Sequence, residues 1–264
     1  MSDALQQNRR FPWRLFWLLF VAGVLSALAA IPLVIDLFGP TIAAAPDQSL
    51  PFPVIVVIGA VQNLALLAAM IFVGLKLGSR LGLGAPLLEA WLNHKAIGTN
   101  WKEILRAGLL VGAGVGAILL AIVLALVPSL PNLPFVSAAK VGIWKRILVC
   151  FYGGIYEELL TRLFLLTLIA WIASKVWRSG AGKLASPAFW TANLVVAILF
   201  GLGHLPSASL VMPITPLVVA AALLLNGIAA VAFGLLYRRH GLESAMIAHF
   251  TADFVIYVIG ASLL

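Results

Sequence analysis

Residues 105–127 have the sequence LRAGLLVGAGVGAILLAIVLALV, in which Arg106, near the beginning, is the one charged residue. An apolar run of about 18 residues or more can cross the roughly 30 Å hydrocarbon core of a bilayer as an α-helix. This stretch therefore predicts a transmembrane helix. Its GAGVG segment at 112–116 indicates close packing against another helix rather than a ligand site, because small residues let two helix backbones approach each other.

The same pattern recurs along the whole chain. Apolar regions of spanning length lie at about residues 12–37, 52–76, 105–127, 143–176, 187–206, 213–237 and 242–264. Of the 264 residues 63% are hydrophobic and 10% are charged, whereas soluble domains are roughly 45–50% apolar and 25% charged. We expect an all-α protein, a polytopic transmembrane helical bundle of about seven to eight spans. An eighth span would come from part of residues 77–104.

The basic residues are distributed unequally between the two ends of these helices. With the amino terminus inside, 13 of the 17 Lys and Arg residues fall on the inner side. These are Arg9, Arg10, Arg14, Lys76, Arg80, Lys95, Lys102, Arg106, Lys175, Arg178, Lys183, Arg238 and Arg239. Lys140, Lys145 and Arg146 fall outside, and Arg162 lies within a helix. This asymmetry follows the positive-inside rule and predicts a cytoplasmic amino terminus.

The net charge of +8 is explained by this topology and by anionic lipid. We therefore expect the lipid bilayer as a partner and no nucleic acid. The first apolar region could be a signal peptide, with LSALAA at 25–30 as a cleavage-like site. Its length and the six spans that follow favour a retained helix.

Six ionisable residues are embedded deep in the apolar regions. They are Glu157, Glu158, Arg162, His204, His249 and Asp253. A charge at the bilayer centre costs roughly 2.5–3.5 kcal/mol on insertion scales, so such residues are functional by default. Glu158 and Arg162 are four apart and share a helix face, as do His249 and Asp253.

The depths of three of these residues agree. A rise of 1.5 Å per residue puts Glu157, His204 and His249 roughly 16, 13 and 20 Å below the outer face of the membrane. Glu157 points about 100° away from its neighbour Glu158 on the helix. The sequence therefore predicts one intramembrane cluster.

A carboxylate and two histidines around a cavity can activate water. The glutamate can act as a general base, and histidine can share the proton, donate to a developing oxyanion or bind a divalent metal. Two His and one Glu are also a ligand set of catalytic zinc sites. The residues alone leave open whether a divalent metal such as zinc is a cofactor or whether none is needed.

Three motifs follow one another on these helices. EELLTR (157–162) matches EExxxR, FGLGH (200–204) matches FxxxH, and HFTAD (249–253) matches HxxxN/D. With these motifs the chain resembles the CPBP family, which comprises the type II CAAX prenyl proteases and their prokaryotic relatives and is also called the Abi or bacteriocin-protection family. The resemblance covers about residues 143–257. Within a single integral membrane domain, 1–264, we expect residues 143–264 to provide the catalytic core helices.

The resemblance implies an intramembrane endopeptidase that hydrolyses peptide bonds of membrane-associated proteins or peptides, lipidated or not. It favours the plasma (inner) membrane of a prokaryote. Glu157 would activate the attacking water with the help of His204. His249 and Asp253 would stabilise the oxyanion. The ion pair of Glu158 and Arg162 would hold the helix and orient Glu157. Relatives have been described both as metalloproteases and as glutamate-dependent peptidases, and the sequence does not decide between them.

Asp253 departs from the asparagine that is frequent in this family. An asparagine can donate a hydrogen bond to an oxyanion, whereas an ionised aspartate would repel it. Either the carboxyl group of Asp253 carries a proton, or its role is to orient His249 or to help bind a metal.

Each embedded residue also has a structural explanation. Glu158 and Arg162 could be a structural ion pair, His204 a packing histidine, His249 with Asp253 a satisfied pair, and Glu157 a carboxylate that packs between helices. Two other functions use such residues: a proton- or ion-coupled transporter, and a non-catalytic immunity or scaffold protein. Against the transporter, the sequence shows no internal repeat and no paired broken helices. Asn193 and Asn226 are expected to form hydrogen bonds between helices.

Overall fold

The computed structural model describes residues 11–43, 52–94, 101–130, 133–177 and 184–263. Five basic residues of the topology prediction, Arg9, Arg10, Lys95, Arg178 and Lys183, lie outside the described residues. Within the described ranges every regular element is a helix, so the predicted all-α class is confirmed.

The helices follow one another with short connections. In chain order they are α1 (Trp13–Ala43), α2 (Phe52–Leu81), α3 (Pro86–Leu92), α4 (Trp101–Leu126), α5 (Pro134–Ala138), α6 (Ile143–Phe151), the π-helical segments π1 (Tyr152–Glu157) and π2 (Leu159–Leu166), α7 (Thr167–Ala173), α8 (Ser186–Gly203), α9 (Leu205–Ser209), α10 (Pro216–His240), α11 (Leu242–Asp253) and π3 (Phe254–Ile259). Elements α6, π1, π2 and α7 form one continuous helix over residues 143–173, which we call the central helix.

The described chain has six helical segments that are long and apolar enough to cross a membrane. They are Trp13–Thr41, Val57–Leu81, Trp101–Leu126, Ser186–Ser209, Pro216–His240 and Leu242–Ser262. The central helix takes the place of the remaining predicted span, so the predicted count of seven to eight agrees approximately. The largest boundary difference is at the end of the first region, predicted at 37 and observed at Ala43. Between α2 and α4, α3 has seven residues, too few to span.

The central helix lies in the middle of the bundle. Leu159, Leu163 and Leu166 on π2 are fully buried and belong to a core cluster shared with α1, α2, α8, α10 and α11. Its first half packs along α1 and α11, and π2 packs along α2 and α8. Because protein surrounds this helix, its charged side chains need not face lipid.

One end of the bundle carries most of the described basic residues, and we call it the basic end. It contains the beginnings of α1, α4 and α11 and the ends of α2, α7 and α10. The N–H of Leu242 donates to the carbonyl of Gly84 at 2.9 Å, and the hydroxyls of Thr167 and Tyr237 are 3.0 Å apart. The described Lys and Arg residues here are Arg14, Lys76, Arg80, Lys102, Arg106, Lys175, Arg238 and Arg239.

The opposite end of the bundle contains α5, α9 and the connections around them. Its described basic residues are Lys140, Lys145 and Arg146, and the ammonium of Lys145 pairs with Asp36 at 2.6 Å. Apolar side chains hold these connections together, as in the cluster of Leu130, Met212, Val218 and Ala221.

Glycines let α4 approach α11 closely. A methyl group added at Gly112 would overlap the backbone of Ala248 on α11, and one at Gly116 would overlap Ala252 and Val255. A methyl group at Gly114 would meet nothing within 4 Å. The packing role predicted for the GAGVG segment is thus confirmed for its first and last glycines and wrong for the middle one, which faces away from α11.

These contacts predict different thermal stabilities for two matched substitutions. Gly112→Ala is expected to lower the midpoint of thermal unfolding in detergent, because overpacking against α11 costs roughly 1–3 kcal/mol. Gly114→Ala adds the same methyl group in open space and should leave the midpoint unchanged or raise it, since alanine is a better helix former by about 1 kcal/mol. Equal midpoints for the two variants would contradict this packing.

Candidate active site

Both helices that carry the embedded acids change from α to π geometry beside those acids. The segment π1 ends at Glu157, π2 begins at Leu159, and π3 begins directly after Asp253. Such π segments inside α-helices are rare and occur frequently at functional sites. From the sequence, regular helices are expected at these positions, so the π geometry is a difference between the expectation and the structure.

Glu158 and Arg162 form the predicted ion pair. The Arg162 Nη1 lies 2.9 Å from Glu158 Oε1, and both side chains are completely buried. The same carboxylate oxygen accepts a second hydrogen bond, from the Nδ1 of His249 on α11 at 2.6 Å. Glu158 therefore joins Arg162 to His249 across two helices.

Arg162 is held by groups from three helices. Its guanidinium donates to the carbonyl of Ala230 on α10 at 3.2 Å and to the hydroxyl of Thr161 on its own helix. It also lies between two aromatic rings, 5.7 Å from the centre of Phe200 on α8 and 5.4 Å from that of Phe233 on α10. These contacts give Arg162 a structural role between the central helix, α8 and α10.

Glu157 faces a different direction from its neighbour. Its side chain is 18% exposed, whereas that of Glu158 is 0% exposed. The Oε2 of Glu157 lies 3.5 Å from His249 Nε2, and Asp253 Oδ2 lies 3.8 Å from the same nitrogen. One ring nitrogen of His249 is thus bound to the buried Glu158, and the other faces two carboxyl groups.

The close approach of Asp253 to the central helix depends on a glycine. A Cβ atom on Gly153 would overlap Asp253 Oδ2 and lie 3.1 Å from His249 Nε2. Any other residue at this position would push the α11 side chains away. No role was predicted for this glycine from the sequence.

His204 lies at the end of α8, where its ring packs edge-on against Phe200 with 4.7 Å between ring centres. Its Nδ1 donates to the carbonyl of Phe200 at 2.8 Å. In the neutral imidazole this bond leaves Nε2 without a proton, so Nε2 can accept one.

A cavity of about 240 Å³ brings four of the predicted site residues together. Glu157, His204, His249 and Asp253 all line it. Glu158 and Arg162 are not among its lining residues and lie behind His249. The structure thus separates the six predicted residues into four that line the cavity and two that are completely buried beside it.

The cavity is also lined by polar residues that were not predicted as part of the site. They are Tyr152, Ser207, Asn226 and Tyr257. The sequence does indicate Tyr257, because it lies one turn beyond Asp253 on the same helix face, but it was not among the predicted site residues. The expectation for Asn226 was wrong, since its amide donates to Ala222 of its own helix. Asn193 does bridge two helices, from α8 to the carbonyl of Val231 on α10.

The described donors do not form a metal centre. Within the described ranges, no group of three or more His, Cys, Asp or Glu side chains has an arrangement that could hold a metal ion. The Nδ1 of His249 is bonded to Glu158, so its Nε2 is the ring nitrogen that faces the cavity, with carboxylate oxygens of Glu157 and Asp253 at 3.5 and 3.8 Å. The zinc set considered from the sequence therefore has no counterpart among the described residues.

Comparisons with known proteins bear on this cavity. Searches of the curated proteins and of the solved structures found no significant match. A family model, described as type II CAAX prenyl endopeptidase Rce1-like, matches residues 138–255. This range contains all three motifs and the four predicted site residues that line the cavity. Residues 138–255 are therefore similar to the Rce1-like type II CAAX prenyl endopeptidases, a family of proteases.

Proposed function

We propose that this multi-pass membrane protein is an endopeptidase that hydrolyses peptide bonds of membrane-associated proteins or peptides inside its cavity. The observation that carries the proposal is the shared cavity, which a partly exposed carboxylate, Glu157, lines together with two histidines and Asp253. The family match favours this function over the transporter and the scaffold protein.

In the proposed first step, Glu157 removes a proton from a water molecule in the cavity. The water oxygen then forms a bond to the carbonyl carbon of the substrate. The unprotonated Nε2 of His204 accepts a hydrogen bond from the same water and orients it. Positioned general bases of this kind contribute roughly 10²–10⁴-fold to a rate.

His249 and Asp253 stabilise the oxyanion that results. Glu158 accepts the hydrogen bond of the His249 Nδ1–H. When the ring carries a second proton, on Nε2, it can also donate a hydrogen bond into the cavity. In this proposal Asp253 carries a proton and donates as the asparagine of relatives does. When the carbon–nitrogen bond breaks, the proton held by Glu157 passes to the leaving amine, so protons balance over one turnover.

Glu158 and Arg162 are positioning residues in this mechanism. They do not line the cavity, and Glu158 reaches the reaction through the Nδ1 of His249. Two further expectations stay predictions: that the substrates include lipidated polypeptides, and that the protein lies in the plasma membrane of a prokaryote. A cleavage assay in detergent with lipidated and unlipidated peptides, with and without a chelator, tests substrate class and metal dependence.

The proposed base predicts the behaviour of two matched glutamate variants. Glu157→Gln cannot accept the proton of water, and we expect peptide turnover by the purified protein to fall at least about 100-fold. Glu103→Gln makes the same change on α4 at the basic end, where the side chain is 63% exposed, and should keep its turnover. Unchanged cleavage by Glu157→Gln, at an unaltered thermal midpoint, would reject the assignment.

The proposed donor at Asp253 predicts a rescue by asparagine. Asp253→Asn retains a hydrogen-bond donor and is expected to keep turnover within about tenfold of the parent, whereas Asp253→Ala loses roughly 10²–10³-fold, as for other oxyanion donors. The measurement is the turnover number of each variant at saturating peptide. Equal losses in the two variants would show that the carboxylate itself is needed.

A further inference from the structure

The cavity extends from the embedded acids towards the end of the bundle opposite the basic end. Its lining includes Leu130, Leu133 and Phe135 from the chain between α4 and α6, and Ser207 and Met212 from the chain between α8 and α10. These connections belong to α5, α9 and their neighbours, which lie at the end that pairs Lys145 with Asp36.

The basic end has a different cavity that does not reach the site. That cavity, of about 980 Å³, is lined by Lys76, Arg80, Arg238 and Arg239 together with residues of α1 and α3. It shares no lining residue with the cavity of the candidate site. A substrate that enters from the basic end therefore has no described path to Glu157.

The charge distribution gives the two ends a direction in the membrane. Eight described Lys and Arg residues lie at the basic end, and Lys140, Lys145 and Arg146 lie at the opposite end. Lys and Arg are enriched on the cytoplasmic side of membrane proteins. The basic end is accordingly the cytoplasmic end, and the cavity extends away from the cytoplasm.

We propose that the candidate site takes its substrate from the extracytoplasmic side, as a segment of a membrane-anchored or exported polypeptide near the outer leaflet. This inference rests on the proposed function for its chemistry, but the direction of the cavity does not depend on it. Cytoplasmic tails of membrane proteins would not be substrates in the intact membrane.

The cavity lining also limits the side chains that can flank the cleaved bond. Apart from the four acid and histidine residues of the site, the described lining residues include no charged side chain. The part at the end of the bundle opposite the basic end is lined by Leu130, Met212, Val218 and neighbouring apolar residues. A charged substrate residue there would lose hydration without a partner, which is costly. The expected segment is therefore apolar on the side of the bond that occupies this part.

Two exposed serines at opposite ends of the bundle provide matched reporters. Ser209 on α9 and Ser79 on α2 each donate to the carbonyl three residues earlier, and both are exposed. Ser207 lines the cavity itself. Cys150 is the one cysteine of the chain and is buried, so a Cys150→Ala chain is a suitable background.

The experiment measures labelling of Ser209→Cys, Ser207→Cys and Ser79→Cys by a charged, membrane-impermeant maleimide. Intact cells are compared with the same cells after detergent lysis. We expect Ser209→Cys and Ser207→Cys to react in intact cells, and Ser79→Cys to react only after lysis. The lysed sample gives the full labelling of each variant, and a thermal midpoint confirms that each one folds.

Two results would overturn the inference. One is the reverse pattern, with Ser79→Cys alone labelled in intact cells. The other is labelling of Ser209→Cys without Ser207→Cys in intact cells, because the cavity would then be closed to the outside. Failure of the proposed function looks different: the expected labelling would hold while the purified parent protein cleaves no peptide in detergent.

Discussion

The buried ion pair between Glu158 and Arg162 is the interaction on which the rest of the structure depends. Removing two such charges from water costs several kcal/mol per ion, and their attraction offsets this only with further hydrogen bonds. His249, the carbonyl of Ala230 and the rings of Phe200 and Phe233 provide part of that compensation. Even so, Glu158 Oε2 and Arg162 Nε have no described hydrogen-bond partner. Because its hydrogen bonds are incomplete, the pair contributes little net free energy to stability after the cost of desolvation. What it does provide is a fixed position for His249.

The different surroundings of the adjacent residues Glu157 and Glu158 follow from the pairing of Glu158 with Arg162. Glu158 must face the core to meet Arg162 and His249, so the residue before it turns towards the cavity and keeps partial access to water. The π segments around Glu157 and after Asp253 and the glycine at 153 bring the two acids to the same imidazole nitrogen. One short stretch of the central helix thereby provides both the anchor and the proposed base. We infer the side of the membrane that supplies the substrate from the direction of the cavity and the distribution of basic residues.

Much of this arrangement could be predicted because it depends on local sequence. The lengths of the apolar runs determine the spans, and a spacing of four residues determines the contacts of Glu158 with Arg162 and of Phe200 with His204. The bond between Glu158 and His249 could not be predicted, since it joins residues 91 positions apart on different helices. The π geometry was also missed, because the spacing of apolar and charged residues does not distinguish a π-helical turn from an α-helical one. Asn226 was misjudged for the same reason: the side that a polar residue on an apolar helix faces is set by its neighbours.

A double-mutant cycle on the buried pair tests the central claim most directly. The free energy of unfolding is measured for the parent, Glu158→Leu, Arg162→Leu and the double variant, and interacting residues show coupling in such a cycle. Each single variant leaves an unpaired buried charge and is expected to lose about 3–5 kcal/mol, whereas the double variant loses clearly less than the sum. Additive losses would show that the two side chains do not depend on each other, and this account of the site would be contradicted.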